Sequence, residues 1–469
     1  MNSTVPFRLP ADVFDWLGQF VNLEQGVMPP SMRPERMQII AACAGNPERS
    51  APAIHIAGSK GKGSITAMLA AALEEAGYRV GRYMSPHIED YRERITLGDR
   101  YFSDDIYIHA GERLREIESV LANPASREYQ ALLAVSDGGA AEPTFFELLT
   151  LYFFLCAKEA CCNVFVVETG MGGRLDPTNI SMSECTIITG IELEHTDMLG
   201  NTIARIAREK AGIIKPNKRV LIARQKHKDG ADALAVFRET AASKNAPLIY
   251  LPDFACIENV NISQKGTSWT LRVKDGSIAP FELSTPVPGA VQAENGSIAA
   301  LAALLTFPSV NFEQVARGFA KVKPPARFEK LCGEPAVVVD GAHTALSIEL
   351  CAQTWTELYG AEGLLIFGCA MGKDVDAMAR SLIPHFKHII ITRPGTYKIS
   401  EPEKIYDVFK KIIQECSGAV PRLDFIIETE KAICYALETA EQEGRAVLGT
   451  GSFYMAAEIR NYLSASISG

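Results

Sequence analysis

The sequence predicts an α/β protein with two domains, each organised around a mostly parallel sheet. Short apolar runs typical of buried strands alternate along the chain with longer helical patterns. The 469 residues are more than one ordinary core accommodates, so two or three domains are expected. Pro324 and Pro325 separate two alternating blocks, and neither proline can continue a helix. We therefore predict an N-terminal domain over 1–323 and a C-terminal domain over 326–469.

The N-terminal block begins with the predicted parallel sheet. Its strand candidates are the apolar runs at 52–58, 163–170, 185–191 and 219–224. Longer segments with helical periodicity at 64–78 and 144–160 indicate helices between them. Residues over 250–285 alternate in the manner of antiparallel strands, which predicts a small side sheet.

The C-terminal block repeats this alternation after 322–328 and predicts a second α/β domain of Rossmann-like type. Its strand candidates are the apolar runs at 336–343, 363–368, 387–393, 423–428 and 446–451.

Composition and charge exclude several classes of function. The formal net charge of -9 gives no general electrostatic reason to bind nucleic acid or an anionic membrane. An anionic substrate would therefore need a local basic site. The eleven cysteines lack metal-ligand spacing, and several lie among apolar residues, where reduced cysteine behaves as a small hydrophobe. No signal-peptide pattern and no stretch long enough to span a membrane is visible, so we expect a cytoplasmic protein.

A glycine- and lysine-rich turn joins the first predicted strand to a long helix that is expected to begin near Ser64. This layout directs backbone N–H groups and a helix N-terminus at one point, which suits phosphate. Lys62 would neutralise β- and γ-phosphate charge, and the Ser64 hydroxyl would reach a bound Mg²⁺. The turn is shorter than the general phosphate-loop pattern, so a plain glycine-rich turn with solvated lysines is the alternative. The candidate nucleotide-binding residues here are Gly58, Ser59, Lys60, Gly61, Lys62, Gly63 and Ser64.

Further motifs follow in a fixed order along nearly the whole chain. They are YMSPHIEDYRERI (83–95), TFFE (144–147), VVETGMGGRLDPTN (166–179), IELEHTDMLGNTIARIAREKAGIIK (191–215), GAVQAEN (289–295), ARFEK (326–330), VVVDGAHT (337–344), GKD (372–374) and TGSFY (450–454). Together with the GSKGKGS turn, they resemble the Mur ligase superfamily and, within it, the folylpolyglutamate synthase/dihydrofolate synthase family. The resemblance implies a P-loop-type ATPase domain followed by a glutamate-ligase domain. It also implies ATP and Mg²⁺ as cofactors, a folate-type acid and L-glutamate as small-molecule substrates, and a monomer.

Glu168 and His195 are the candidate metal ligands. Glu168 ends a predicted buried strand, where open α/β sheets place their ligand crevice, and His195 follows the next strand of the chain. From neighbouring strand ends they would share one Mg²⁺ with water and phosphate oxygens. The resemblance adds Ser64 and Ser85 as hydroxyl ligands and Lys210, which is carbamylated in the family, as a ligand of a second Mg²⁺. On pattern alone, His195 is an ordinary histidine and Lys210 a solvated helix residue.

The resemblance also implies nucleotide contacts from later in the chain. Asn295, preceded by Gln292, resembles a nucleotide-contacting pair, and Arg327 is a candidate phosphate clamp with a catalytic role. Asp340 and His343 follow a predicted strand and resemble the family's ribose-side and phosphate-side residues. Further candidates of the same site are Lys373, Asp374 and Ser452. For the serine, a structural role in a turn is an equal interpretation.

The GGRLDPTN segment is the candidate for substrate discrimination. Its adjacent glycines let the backbone approach a flat ligand closely. Arg174 and Asp176 are candidate substrate contacts, and Asp176 would pair with the amide and amino edge of a pterin. Family members with dihydrofolate synthase activity typically carry alanine where this chain has Pro177. Since Arg174–Leu175–Asp176 matches the bifunctional pattern, we predict that both dihydropteroate and reduced folates are substrates.

Three other positions depart from the family pattern. Lys60 replaces an asparagine, Glu194 replaces the aspartate before His195, and Thr344–Ala345 replace Asn–Pro. None of them removes a group that carboxylate activation by ATP requires. Two other functions stay open. A Mur-type amino-acid ligase acting on another carboxylate is disfavoured by the folate-type motifs, and a catalytically inactive nucleotide-binding regulator is disfavoured by the retained candidate residues.

Overall fold

The computed structural model describes residues 5–22, 33–136, 141–396, 398–416 and 420–468. The strands are β1 Ala53–Ala57, β2 Val80–Tyr83, β3 Ile95–Leu97, β4 Val164–Glu168, β5 Ser183–Ile188, β6 Arg219–Ile222, β7 Leu248–Tyr250, β8 Ala255–Ser263, β9 Gly266–Val273, β10 Phe281–Thr285, β11 Glu329–Cys332, β12 Val337–Val339, β13 Gly363–Phe367, β14 Phe386–Ile391, β15 Arg422–Phe425 and β16 Val447–Thr450. The helices are α1 Pro10–Leu17, α2 Pro34–Cys43, α3 Lys62–Glu75, α4 Asp104–Leu121, α5 Arg127–Ala134, α6 Phe145–Glu159, α7 Thr196–Leu199, α8 Ile203–Ala211, α9 Gly230–Ser243, α10 Leu251–Phe254, α11 Ala290–Thr306, α12 Phe312–Phe319, α13 Ala345–Tyr359, α14 Val375–Leu382, α15 Pro402–Glu415, α16 Thr429–Glu443 and α17 Phe453–Ser468.

The first compact unit comprises residues up to 257, together with 271–282 and 294–320. Its seven-stranded sheet has the order β3-β2-β4-β1-β5-β6-β7. Neighbouring strands are parallel, except that β2 and β3 are antiparallel. Every residue of β1 and β4 is buried, as expected of parallel strands covered on both faces. The glycine-rich loop therefore begins at the carboxyl end of a central strand.

Apolar side chains hold this sheet in place through separate clusters. One cluster combines residues of α1, α4 and α6 with residues of β1 and β4, and includes Phe14, Tyr152 and Phe165. Another combines α8 and α9 with β5 and β6, and includes Ile206 and Phe237. Full burial of one such side chain stabilises the fold by about 1.5–3 kcal/mol, so the two clusters help to hold the helices against the sheet.

The second compact unit comprises residues from 321 onward, together with 258–270 and 283–293. Its six-stranded sheet has the order β11-β12-β16-β13-β14-β15, and β11 is the antiparallel strand at one edge. Trp355 and Phe409 are fully buried in its apolar cluster. The strands β8, β9 and β10 form a separate three-stranded sheet, where a small side sheet was predicted.

The predicted fold class, two α/β domains with mostly parallel sheets, is confirmed. The boundary at Pro324–Pro325 stays a prediction, and the second unit takes in two segments that the sequence assigned to the N-terminal block. Among the described residues, no helix combines the length and apolar character that crossing a bilayer requires.

Candidate active site

The glycine-rich loop runs from the end of β1 to the start of α3. The helix begins at Lys62, two residues before the predicted start, and Gly61 precedes it with φ 87°. A Cβ at Gly61 would lie 2.6 Å from Asn295 Oδ1, and one at Gly58 would lie 1.8 Å from Thr189 Oγ1. Side chains cannot be accommodated at such distances, so both positions require glycine. The loop thus brings bare backbone to the N-terminus of a fourteen-residue helix, as a phosphate site needs.

Two lysine side chains converge on this loop. Lys62 Nζ donates to Gly58 O at 3.0 Å, and Lys210 Nζ donates to the same oxygen at 2.9 Å. Lys62 Nζ also lies 3.9 Å from Glu168 Oε1, so the predicted phosphate-binding lysine and the predicted metal ligand are neighbours. The structure therefore concentrates positive charge at the mouth of the loop.

Lys210 is 2% exposed, which corrects the interpretation of this residue as a solvated helix residue. Its Nζ donates to Glu194 Oε1 at 2.8 Å, so the buried ammonium is ion-paired. Burial lowers the pKa of Lys210, and the Glu194 carboxylate opposes that shift. Burial alone would raise the pKa of Glu194, but Lys210, Lys62 and Lys60 lower it to about 2. A lysine ammonium has no lone pair and cannot ligate Mg²⁺, so the predicted metal role belongs to a carbamylated Lys210 and stays a prediction.

The predicted metal ligands do not lie on adjacent strands. Glu168 ends β4 and is 3% exposed, whereas His195 is exposed and begins α7 in a left-handed conformation, with φ 47°. β1 lies between β4 and β5 in the sheet, so the prediction of neighbouring strand ends is wrong. No group of three or more His, Cys, Asp or Glu side chains able to hold a metal occurs in the described part of the chain. Glu168, Ser64 and Ser85 carry oxygen donors of the kind that Mg²⁺ prefers, and their role as its ligands stays a prediction.

Other loop residues connect the phosphate loop to its surroundings. Ser59 N donates to Gly190 O at 3.0 Å, and Glu192 N donates to Ser59 Oγ at 3.0 Å. The loop is thereby tied to the segment that carries Glu194 and His195. Asn295, on α11, is 7% exposed and packs against Gly61, as its predicted place beside the nucleotide requires.

The GGRLDPTN segment is held by its own side chains. Asp176 is 6% exposed, and its carboxylate accepts hydrogen bonds from Thr178 N at 3.0 Å, Thr178 Oγ1 at 2.5 Å and Met171 N at 2.9 Å. Burial raises the pKa of Asp176, and these hydrogen bonds lower it. The carboxylate therefore organises the loop, and its predicted role of reading a pterin edge finds no support in this geometry. The Arg174 side chain also makes a contact within the protein, because its Nη2 donates to Glu209 Oε1 at 2.9 Å.

The second unit has its own group of predicted residues at the carboxyl end of β12. Asp340 is half-buried and accepts hydrogen bonds from the backbone N–H groups of Phe328 and Ala342, both at 2.8 Å. Burial raises the pKa of Asp340, while Arg327 opposes the shift. The Arg327 guanidinium lies 4.3 Å from the centre of the Phe453 ring. His343 Nδ1 donates to Gly341 O at 2.8 Å, since a carbonyl oxygen can only accept.

Two of the remaining candidates, Ser452 and Asp374, cap helices, and Thr344 precedes a third helix. Ser452 Oγ accepts from Met455 N at 3.0 Å and donates to Gly368 O at 3.2 Å, which is the structural alternative considered for this serine. Asp374 Oδ1 accepts from Ala377 N at 3.1 Å at the start of α14, and Lys373 beside it is exposed. Thr344 precedes α13, where its N–H and hydroxyl contact Ser347 Oγ at 3.0 and 2.9 Å. The helix expected after Thr344 is present, and the mild effect of replacing Asn–Pro stays a prediction.

Comparison with known proteins identifies the family of the chain. The Mur ligase glutamate ligase domain matches residues 326–453. The dihydrofolate synthase/folylpolyglutamate synthase of Bacillus subtilis is 30% identical over 434 residues, covering 91% of this chain and 94% of that protein. Its counterpart of Mycobacterium tuberculosis is 32% identical, covering 79% of this chain and 76% of that protein. A protein of Halobacterium salinarum named "probable bifunctional folylpolyglutamate synthase/dihydropteroate synthase" is 31% identical over 90% of this chain, which spans 48% of its length.

The chain belongs to the folylpolyglutamate synthase/dihydrofolate synthase family. A crystal structure of the Mycobacterium tuberculosis folylpolyglutamate synthase complexed with ADP and AMPPCP matches with a TM-score of 0.82 and 27% identity, covering 96% of this chain and 97% of the other. The predicted family and its ligase class are thus confirmed. The roles of individual residues stay predictions.

Several contacts near the candidate site residues were not predicted from the sequence. Glu194 was noted as a departure, but its ion pair with the buried Lys210 was not predicted. His87 and Arg94 lie within a motif that was recognised, yet their hydrogen bond of 2.8 Å was not. Burial, followed by the charge of Arg94, lowers the pKa of His87 to about 3. The available signal was an arginine seven residues after a histidine within a loop at a strand end.

Proposed function

We propose that this protein is an ATP-dependent ligase that adds L-glutamate to folate-type acids, accepting both dihydropteroate and reduced folates. The observation that carries the proposal is the convergence of Lys62 and Lys210 on Gly58 O, beside the Glu168 carboxylate. A phosphate-binding loop crowded with fixed cations suits the transfer of a phosphoryl group to a carboxylate.

A carboxylate does not react with an amine in water, so its oxygen first attacks the γ-phosphorus of ATP. ADP leaves, and an acyl phosphate remains. The amine of glutamate then attacks the acyl carbon and forms a tetrahedral intermediate, which collapses to the amide with loss of phosphate and a proton. In this scheme, Lys62 neutralises charge on the transferring group, and Lys210 stabilises negative charge near Gly58.

A divalent metal ion is part of the proposal. Glu168 and His195, with the hydroxyls of Ser64 and Ser85, would hold Mg²⁺. When bound, the ion would neutralise charge on the phosphate oxygens. Within the second unit, Arg327, Asp340 and His343 are the proposed nucleotide-binding group. The protein is proposed to act as a cytoplasmic monomer.

The test is phosphate release by the purified full-length protein. We expect release to require ATP, glutamate and a pteroyl acid together, with both dihydropteroate and tetrahydrofolate active. Activity with tetrahydrofolate alone would overturn the proposal of dual specificity while leaving the ligase function. Phosphate release that does not depend on either pteroyl acid would overturn the choice of substrate class. A Mur-type ligase activity on another carboxylate would then be tested.

A further inference from the structure

The loop over 84–94 follows β2 and holds a buried arginine beneath a histidine. Arg94 is 1% exposed, and its Nε donates to His87 Nδ1 at 2.8 Å. The His87 ring packs on Tyr91, with ring centres 4.1 Å apart. The Arg94 guanidinium lies 5.9 Å from the centre of the Tyr91 ring and 6.0 Å from that of Phe145.

The hydrogen bond from Arg94 fixes the tautomer of His87. A guanidinium is always protonated in proteins and can only donate, so Nδ1 of His87 must be the acceptor. The ring proton is then on Nε2, which becomes an N–H donor on the opposite side of the ring from the buried arginine. The His87 residue as a whole is partly exposed.

The loop is also held rigid around this histidine. The Glu93 carboxylate accepts hydrogen bonds from the successive N–H groups of Ile88, Glu89 and Asp90, at 2.7, 2.9 and 3.0 Å. Met84 N donates to Arg94 O at 3.0 Å and closes the base of the loop. A donor held in this way loses little conformational entropy on binding a ligand, as a specific contact requires.

The strand order places this loop on one side of the phosphate site. β2 neighbours β4, and β4 neighbours β1, so the loops after β2 and β4 both lie on the β4 side of the phosphate loop. We infer that His87 is a substrate-contacting residue, and that its Nε2–H donates to an oxygen or ring nitrogen of the folate-type acid. Arg94 is the positioning residue that fixes the donor. The inference rests on the proposed function, because it takes the acid substrate from there.

Two substitutions of His87 test its hydrogen-bond donor independently of its flat ring. His87→Phe keeps a flat ring against Tyr91 but removes the donor. His87→Gln keeps a carbonyl oxygen that can accept from Arg94 and an N–H that can donate to substrate. We expect His87→Phe to raise the KM for the acid substrate about tenfold, the size of one lost hydrogen bond. His87→Gln should stay within about threefold of the wild type, and the KM for ATP should change in neither variant.

His109→Gln is the matched control, because it makes the same kind of substitution at an exposed histidine on α4. The ring nitrogen of His109 lies 3.3 Å from Glu159, and this variant should leave the KM for the acid unchanged. Thermal unfolding of each variant shows whether it is folded. An unchanged KM for the acid in folded His87→Phe would overturn the inference while leaving the ligase function intact. A wild-type protein without ligase activity would instead count against the proposed function.

A second measurement does not depend on activity. In the ¹⁵N-histidine-labelled full-length protein, the ring signals that disappear in His87→Phe belong to His87. We expect a bare Nδ1 and a protonated Nε2 for this ring. A proton on Nδ1, in the neutral or the charged form, would overturn the inference, because Arg94 could not then donate to that atom.

Discussion

Lys62 and Lys60 lie in the same loop, and Lys62 donates to Gly58 O and lies beside Glu168. We expect Lys62→Ala to lower kcat by about 10²–10³, because it removes a fixed positive charge from the transferring phosphoryl group. Lys60→Ala is the matched control and should lower kcat much less. Steady-state ligation assays on folded variants measure both effects. Near-wild-type turnover in Lys62→Ala would contradict the role assigned to this residue.

The Lys210–Glu194 pair allows a test of a buried charge. Because Lys210 is 2% exposed, Glu194→Gln leaves an ammonium buried without its carboxylate. We expect this change to lower the free energy of unfolding by about 3–5 kcal/mol. Lys210→Met combined with Glu194→Gln should recover much of that loss, since no charge is then buried. Urea unfolding measures each variant.

The control for this pair is Glu184→Gln. Glu184 pairs with Lys218 at 2.5 Å, but both side chains are about 40% exposed. Exposed pairs contribute about 0–1 kcal/mol, so this variant should unfold almost as the wild type does. If the two glutamine variants lose equal stability, the buried pair has no special energetic role.

Among the secondary-structure elements, the loop after β4 is held together by hydrogen bonds to Asp176. We expect Asp176→Ala to lower the activity on dihydropteroate and on tetrahydrofolate by similar factors, and to reduce thermal stability. Its carboxylate accepts three hydrogen bonds from Thr178 and Met171, which alanine cannot replace. Steady-state kinetics of Asp176→Ala and the wild type on both substrates measure the two losses of activity. Selective loss of dihydropteroate ligation would instead restore the pterin-reading role.

The same elements show what the sequence could and could not predict. The apolar runs of β1 and β4 and the glycines of the phosphate loop have local signatures, so their positions were predicted within a few residues. Strand order has no such signature, and β1 therefore appears unexpectedly between the strands that precede Glu168 and His195. The Lys210–Glu194 contact joins residues sixteen positions apart across a turn and a helix. Such a contact between side chains depends on how the helix packs in the folded protein, so the sequence alone does not predict it.

Over the whole molecule, the local charge at the phosphate loop is opposite in sign to the net charge of the chain. The chain carries a formal net charge of -9, while its proposed substrates are anions. Lys60, Lys62 and Lys210 act together on the pKa of Glu194, so positive charge is gathered at the phosphate loop. Such a local field attracts anions at short range, where screening by salt is weakest.

The stability of the whole molecule should depend on pH through Lys215. Its Nζ donates to Asn179 O at 2.6 Å and Asn179 Oδ1 at 2.9 Å, and burial, followed by the charge of Lys244, lowers its pKa to about 8. Between pH 8 and the usual lysine pKa near 10.5, the unfolded chain binds this proton and the folded protein does not. Stability contributed by this group therefore rises with pH in that window, by at most roughly 3 kcal/mol.

We expect Lys215→Met to remove this rise, whatever its effect on absolute stability, because no proton is then bound at that position in either state. Lys218→Met is the control, since Lys218 is 40% exposed and should leave the rise unchanged. Urea unfolding at pH 8, 9 and 10 measures the slope for each protein, and comparison with the wild type cancels the other groups that titrate there. An equal slope in Lys215→Met and in the wild type would show that Lys215 does not release its proton on folding.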